Sequence, residues 1–184
     1  MSVITSTYER DALDWYVEPA WCVHKLIDAE PFSGIVYDPA CGIGTIPNAF
    51  ISRRIPAVGS DIVNRGPNEV LDFLDEESPK FGCVNVVCNP PFSRAVPFIE
   101  TALDIATMKV AMILPLTFLA SQARQPLFTE TPVARVYVLS RRPSMPPGEK
   151  LNDPDFKSKG GSVDYCWIVW HHGHKGPPTM EWLI

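Results

Sequence analysis

The most constraining feature of this sequence is a β-branched apolar run that ends in two consecutive prolines. Residues 84–88 read Val-Asn-Val-Val-Cys, and Asn89-Pro90-Pro91-Phe92 follow directly. A short apolar run bounded by prolines is typical of a buried central strand that opens into a rigid loop. Since proline has no backbone donor, carbonyl oxygens are the free polar groups at this strand end. Acceptors beside the aromatic plate of Phe92 suit a planar group that bears an amine.

A second predicted strand end carries glycines. Residues 35–37 are a short apolar strand, and Asp38-Pro39-Ala40-Cys41-Gly42-Ile43-Gly44-Thr45 leads from it into an amphipathic helix through Ile51. Strand, glycine turn and helix together let backbone amides approach a ligand at a helix N-terminus. Asp61 closes the next predicted strand, residues 56–60, about 20 residues after the turn, where an acid can bind ribose hydroxyls.

The rest of the chain continues this alternation. We predict helices from about Pro19, over 94–107 and over 117–124, and strands over 84–88, 109–114, 134–139 and 164–170. Residues 71–74 are either a further short strand or its loop. Alternating strands and helices predict a three-layer α/β fold with a mostly parallel sheet and ligands at its carboxyl edge. We expect one domain, residues 1–184, with a long mobile loop at about 141–163 that is rich in proline and glycine.

Composition limits the class of protein. The chain has 184 residues, 46% of them apolar and 20% charged, as in soluble globular proteins. No apolar run approaches the ~20 residues that span a bilayer, and no signal-peptide core is present, so we expect a cytoplasmic protein without a membrane partner. An odd number of cysteines without a Cys-x-x-Cys pair predicts buried free thiols: Cys22, Cys41, Cys83, Cys88 and Cys166.

Charge is unevenly distributed along the chain. Residues 1–80 carry 13 acids and 6 bases, whereas residues 81–184 carry 8 acids and 10 bases. A polyanion should therefore dock on the C-terminal half, with modest, salt-sensitive affinity. The candidate contacts are the five bases of the predicted loop, which is a solvated loop in the alternative interpretation: Arg141, Arg142, Lys150, Lys157 and Lys159.

The two strand-end motifs, taken together and in this order, resemble the class I S-adenosylmethionine-dependent methyltransferases. The similarity covers about residues 15–170 and is strongest with DNA adenine-N6 methyltransferases of the phage or prophage type, which carry an Asn-Pro-Pro-aromatic motif. The resemblance implies a Rossmann-like methyltransferase fold with a seven-stranded sheet, S-adenosylmethionine as cofactor and DNA as the partner.

The resemblance also implies roles for individual residues. Asp38, Pro39, Gly42 and Gly44 would shape the cofactor pocket around the methionine end, and Asp61 would hold the ribose hydroxyls. The cofactor's adenine would lie against Ile62, Asp72 and Phe73, with Asp72 accepting from its amine. An N-terminal segment would close over the cofactor carboxylate through Trp15, Tyr16 and Pro19.

The implied catalytic residues are Asn89, Pro90, Pro91 and Phe92. The Asn89 side chain and the Pro90 carbonyl would accept the two amine protons and direct the nitrogen lone pair toward the methyl group. Phe92 would stack on the target base after it leaves the helix.

Three alternatives stay open at this point. Asn-Pro-Pro-aromatic motifs also occur in enzymes that methylate an RNA base amine or a protein glutamine amide. A catalytically silent partner subunit could share the fold. No sizeable target-recognition region is evident, so DNA recognition would require loose specificity, a protein partner or a homo-oligomer. We expect no metal site, because His171 and His172 are adjacent and would point to opposite faces of a strand.

Overall fold

One mixed sheet organises the protein. The computed structural model describes residues 14–78, 83–151, 153–156 and 160–184. In chain order the strands are β1 (Val36–Asp38), β2 (Ala57–Asp61), β3 (Glu69–Val70), β4 (Cys83–Cys88), β5 (Ala106–Pro115), β6 (Val133–Leu139), β7 (Tyr165–His171) and β8 (Thr179–Leu183). The described strands lie side by side in the order β3-β2-β1-β4-β5-β7-β6-β8. β7 runs antiparallel to its two neighbours, and the other pairs are parallel.

Helices cover both faces of this sheet. They are α1 (Ala20–Ala29), α2 (Thr45–Ser52), α3 (Ala95–Ile105) and α4 (Gln125–Thr129). One face packs on α1 and α2 through a core that includes Leu26, Phe50, Val87, Ile113 and Trp167. The other face packs on α3 and α4 through a core that includes Ile99, Val86, Met112, Leu127 and Ile168. Neighbouring strand residues enter opposite cores because side chains alternate across a sheet.

The predicted three-layer α/β fold is confirmed. β1, the glycine turn and α2 follow one another as expected, and β4 ends directly before Asn89. Because β1, β2 and β4 are parallel, their carboxyl ends meet at one edge of the sheet. The described chain forms eight strands rather than seven, since β8 adds an edge strand beside β6 that we did not predict.

One local prediction is wrong, and one that left two alternatives open is resolved. The helix expected over 117–124 is two 3₁₀ turns, Leu116–Leu119 and Gln122–Arg124, separated by extended backbone at Ser121. The α-helix begins only at Gln125, where a proline occupies its first turn. The short strand considered at 71–74 is a loop, and β3 lies just before it, at Glu69–Val70.

The segment predicted as a mobile loop is packed in its first part. Residues 145–148 are buried, and Gly148–Lys150 forms a 3₁₀ turn. Among the described helices, none has the length and apolar character needed to cross a membrane.

Candidate active site

A cavity of about 260 Å³ lies at the carboxyl ends of β1, β2 and β4. Its walls come from residues 14–18, which we call the arm, from the glycine turn at 39–45, and from the loops after β2, β3 and β4. The volume is close to the lower end of the ~300–1,000 Å³ range of small-molecule sites. Ten residues predicted for the site line it: Trp15, Tyr16, Pro39, Gly42, Asp61, Ile62, Asp72, Phe73, Asn89 and Pro91.

The glycine turn forms the floor beneath the arm. Gly42 has a φ of +53° and Gly44 a φ of +87°, a backbone conformation that favours glycine. A Cβ at Gly42 would lie 2.8 Å from Nε1 of Trp15. Glycine therefore allows both the turn and the close approach of the tryptophan. Gly44 is the N-cap of α2 and does not line the cavity.

Asp61 ties the turn to β2. Its Oδ2 accepts from the Gly42 N–H at 2.9 Å, and its Oδ1 accepts from the Val63 N–H at 2.9 Å and from Nη1 of Arg65 at 2.6 Å. A carboxylate offers about four acceptor positions. Three of them are used within the protein, which leaves one for a ligand hydroxyl.

Arg65 was missed in the sequence analysis. Its guanidinium lies 4.2 Å from the centroid of the Trp15 ring and pairs with Asp61, so it joins the arm to the end of β2. Arg65 lines the cavity together with both partners. An arginine four residues after a strand-end acid carries no distinctive sequence signal.

The arm is held from above by the segment after β6. The Gly148 N–H donates to the Trp15 carbonyl at 2.9 Å, and the Val17 N–H donates to the Pro146 carbonyl at 3.0 Å. A Cβ at Gly148 would lie 2.1 Å from the Trp15 ring. Tyr16 forms an isolated antiparallel bridge with Pro147. The arm therefore lies between the glycine turn and residues 145–148, and it contacts both.

Asn89 lies directly under the arm. Its Nδ2 donates to the Tyr16 carbonyl at 2.7 Å and to Oε2 of Glu18 at 2.9 Å. Its Oδ1 is buried, and no described residue donates to it. Buried acceptors are nearly always satisfied in folded proteins, so this oxygen marks a place where a ligand donor fits.

Glu18, the second residue that sequence reasoning missed, is buried beside this amide with 7% exposure. Burial raises the pKa of its carboxyl from 4.5 to about 7, although the hydrogen bond from Asn89 acts in the opposite direction. Asp38, at the end of β1, is also buried, and burial together with the nearby Glu18 holds its pKa well above the usual range. Asp38 does not line the cavity; its Oδ1 accepts from the Ala40 N–H in the turn.

The loop after β3 supplies the side of the cavity. One oxygen of Asp72 accepts from the Leu74 N–H at 2.9 Å, which fixes the carboxylate against its own loop. Phe73 lines the cavity with a small part of its ring and is only 2% exposed. Its ring packs against Tyr37 at 6.0 Å and Phe98 at 5.1 Å, so it is mainly a core residue.

Four further predicted site residues lie beside the cavity rather than in its lining, namely Pro19, Pro90, Phe92 and Gly44. Phe92 is half-buried between two tyrosines. Its ring is parallel to that of Tyr16 within 4°, at 6.3 Å between centroids, and lies 5.9 Å from that of Tyr165. The structure therefore places Phe92 in an aromatic group next to Asn89.

The predicted basic residues do not form one uniform patch. Arg142 is paired with Asp164, with 2.6 Å between Nε and Oδ1, while the Arg141 guanidinium lies 5.1 Å from the Trp21 ring centroid. Lys150 is exposed in the turn after Gly148. Lys157 and Lys159 lie outside the described residues. No group of three or more described His, Cys, Asp or Glu side chains could hold a metal ion.

Comparison by sequence finds no matching family model and no matching curated protein. Comparison by structure does find matches. A candidate RNA methyltransferase from Pyrococcus horikoshii aligns over 86% of this chain and 87% of its own, with a TM-score of 0.61 and 14% identity. A predicted O-methyltransferase from Agrobacterium tumefaciens aligns over 90% of this chain and 86% of its own, with a TM-score of 0.60 and 14% identity.

A third match, magnesium protoporphyrin IX methyltransferase from Synechocystis, was solved with bound S-adenosylmethionine. It aligns over 83% of this chain and 78% of its own, with a TM-score of 0.52 and 12% identity. The fold is that of the S-adenosylmethionine-dependent methyltransferases. The names of the three matches concern different substrates, so the fold alone does not select one.

Proposed function

We propose that this protein is an S-adenosylmethionine-dependent N-methyltransferase that acts on an exocyclic amine, with N6 of adenine in DNA as the substrate. The observation that carries the proposal is the buried Oδ1 of Asn89, an acceptor without a described donor at the end of a central strand. An exocyclic amine supplies the missing donor. A hydroxyl has one proton and could satisfy only one acceptor. An amine has two protons, so it could donate to both Oδ1 of Asn89 and the neighbouring Pro90 carbonyl.

The cavity suits the cofactor through its charge as well as its position. The carboxyls of Glu18 and Asp38 are buried at its edge, and neither forms an ion pair with a described residue. A ligand that carries positive charge would compensate them, and it would lower their pKa values by favouring the ionised forms. When bound, S-adenosylmethionine supplies an activated methyl group on a positively charged sulfonium.

The protein's own contribution is positioning. Asn89 and the Pro90 carbonyl would each accept one amine proton, and this would orient the nitrogen lone pair for in-line attack. Positive charge that develops on the nitrogen would be stabilised by these oxygens in a site shielded from water. Two thiols lie nearby, Cys88 at the end of β4 and Cys41 in the cavity wall, but both are buried and burial raises the pKa of each, so neither is an activated nucleophile and the mechanism needs no covalent enzyme intermediate.

A second cavity supports a polyanionic substrate. It has a volume of about 550 Å³, and Val17 and Glu18 separate it from the first. Arg141, Arg142 and Trp21 line it. An arginine beside an aromatic ring is a common way to hold a nucleotide by charge and stacking. We propose that a protein partner or a second copy of the chain supplies recognition of the DNA sequence.

We also propose a cytoplasmic location, because the five cysteines are buried free thiols, as is typical of proteins in a reducing compartment.

The test is mass spectrometry of the nucleosides released from nucleic acid and of the peptides released from protein. Unmethylated duplex DNA, total RNA and a mixture of proteins are each incubated with the purified protein and S-adenosylmethionine. We expect N6-methyladenine in the DNA sample only. Methylation confined to RNA or to a glutamine amide would replace the substrate in this proposal. Cofactor binding without transfer to any of the three would contradict it and would favour a silent partner subunit.

A further inference from the structure

The amide of Asn89 has two different ends, and its surroundings decide which end is left for a ligand. Both acceptors around it, the Tyr16 carbonyl and Oε2 of Glu18, contact Nδ2. Rotating the amide by half a turn would bring Oδ1 against these two oxygens, which repel it. Both N–H groups of Nδ2 are therefore used, and Oδ1 remains the free acceptor.

Glu18 has no evident structural reason to be buried at this place. It is 7% exposed, lines both cavities and forms no ion pair with a described residue. Burying a carboxylate without a cation costs free energy. Among the described side chains, Asn89 is the one that donates a hydrogen bond to it. The burial of the Glu18 carboxylate costs free energy, and it is best explained by the contact with Asn89, the candidate catalytic residue.

We propose that Glu18 is a positioning residue that holds the Nδ2 end of Asn89 and so presents Oδ1 to the target amine. This inference rests on the proposed function and adds a residue to it. Without Glu18, one N–H of Nδ2 loses its acceptor, and the amide is held by the Tyr16 carbonyl alone.

The charge of Glu18 has a second effect. Hydrogen bonds in series polarise one another, so a carboxylate that accepts from Nδ2 makes Oδ1 a stronger acceptor. A stronger acceptor stabilises the positive charge that develops on the amine during transfer. The arm, which places Glu18, is therefore part of the catalytic arrangement as well as a cover for the cavity.

The first test compares two substitutions of Glu18 in the methyl-transfer assay. Glu18→Ala should lower kcat about 10²-fold, the order expected when a reacting group is misplaced. Glu18→Gln should retain at least about a third of kcat, because the glutamine oxygen can accept the same bond from Nδ2. Both variants remove the charge that would compensate the sulfonium, so the dissociation constant of S-adenosylmethionine should rise to a similar extent in both, whereas kcat should fall strongly only in Glu18→Ala, and this difference separates positioning from cofactor binding.

A second background makes the test sharper. Asn89→Asp replaces the amide with a carboxylate that has two acceptors and needs no orientation. In that background, Glu18→Gln should raise kcat at least about threefold, because it removes charge repulsion and supplies a donor. A role of Glu18 in folding alone would give the same sign of effect in both backgrounds.

The hydrogen bond itself can be observed without a substrate. In ¹⁵N-labelled protein, the side-chain NH₂ signals of Asn89 are identified by their loss in Asn89→Asp. Slow solvent exchange of both protons is expected in the wild type and in Glu18→Gln, and fast exchange of one proton in Glu18→Ala.

Two failures can be told apart. A wild-type protein that methylates none of the substrates would contradict the proposed function, and the inference would fall with it. A wild-type protein that methylates DNA, with Glu18→Ala equally active or with unchanged NH₂ exchange in that variant, would overturn the inference alone.

Discussion

Two buried glutamates lie at the two ends of α1, and they differ in whether a cation pairs with the carboxylate. Glu30, which caps the C-terminus of the helix, is 0% exposed. Its carboxylate accepts from Nζ of Lys109 and from the Tyr137 hydroxyl at 2.9 Å, and Arg135 lies 3.3 Å away. Glu18, just before the helix, is buried to a similar degree but has an amide as its partner and no described cation.

The difference distinguishes a structural cluster from a candidate active site. The negative charge of Glu30 is compensated by Lys109 and Arg135, which lie on β5 and β6, so these ion pairs hold the end of α1 against the sheet. Charge at the Glu18 end is left uncompensated beside a cavity at the carboxyl edge of the sheet. Buried acids with strongly raised pKa values in a cleft are typical of functional sites. Burial alone would not have separated the two residues.

The largest expected effect is on stability, at the Glu30 end. Lys109→Met should lower the free energy of unfolding by about 3–5 kcal/mol, because it leaves a buried carboxylate without its main cation. Urea unfolding monitored by circular dichroism measures this. Adding Glu30→Gln to Lys109→Met should restore part of the loss. The folded fraction should keep its methyl-transfer rate, and a lost rate with unchanged stability would contradict the division between the two ends.

At the Glu18 end, removing the buried charge should raise the free energy of unfolding rather than lower it, and the size of this gain should depend on pH. The pKa of Glu18 is raised to about 7 in the folded state from 4.5. Between these values the folded carboxyl holds a proton that the unfolded chain has lost, so stability falls as pH rises. The total is about 3 kcal/mol at ~1.4 kcal/mol per pKa unit.

Glu18→Gln removes this penalty and should therefore be more stable than the wild type at pH 8, with little difference at pH 4.5. The neighbouring charged or titratable groups remain in the variant, and those whose pKa the Glu18 charge raises should titrate at lower pH there: Asp38, Cys22, Cys41 and Cys88, with Arg141 acting on Cys22 in the opposite direction. Urea unfolding at the two pH values measures the difference. A variant that is less stable at pH 8 would show that Glu18 is compensated after all.

A smaller effect is expected from Tyr137→Phe. The hydroxyl donates to the Glu30 carboxylate, and a hydrogen bond to a charged group contributes about 2 kcal/mol. Thermal unfolding should show a loss of this size that is not accompanied by a change in turnover. A loss near zero would mean that Lys109 and Arg135 compensate Glu30 without the tyrosine.

The smallest effect concerns the exposed arginines, where the same contrast between paired and unpaired charge recurs. Arg141→Ala should reduce the slope of log affinity for DNA against log salt by about one, as for the loss of a phosphate contact. Arg142→Ala should change the slope less, because Asp164 already pairs with this residue. Fluorescence anisotropy at several salt concentrations measures both, and equal slopes in the wild type and Arg141→Ala would place the polyanion elsewhere.

Sequence patterns predicted the fold because its main elements are locally encoded. Two prolines follow closely after the strand that ends at Cys88, and glycines mark the turn at Gly42, so these element boundaries are visible in the sequence itself. The edge strand β8 follows two prolines and is mostly exposed, so its pairing with β6 depends on tertiary context rather than on pattern. The helix expected at 117–124 failed because Ala120 and Ser121 leave the helical region of backbone conformation.

The candidate site was predicted in part. Its strand ends were accessible from the sequence, since parallel strands bring their carboxyl ends together. Glu18 and Arg65 were missed because their roles depend on how the arm folds over the turn, and both residues are otherwise ordinary charged side chains. The pairing of Arg142 with Asp164, 22 positions away, was equally invisible in the sequence.

The most direct test of the account is a parallel measurement of cofactor affinity and methyl transfer in Asn89→Ala. Calorimetric titration gives the dissociation constant of S-adenosylmethionine, and the nucleoside assay gives the rate of transfer to DNA. We expect the rate to fall at least about 10³-fold, while the dissociation constant stays within about threefold of the wild type. Equal losses of affinity and rate, or an unchanged rate, would show that the Asn89 oxygen is not the acceptor for the target amine.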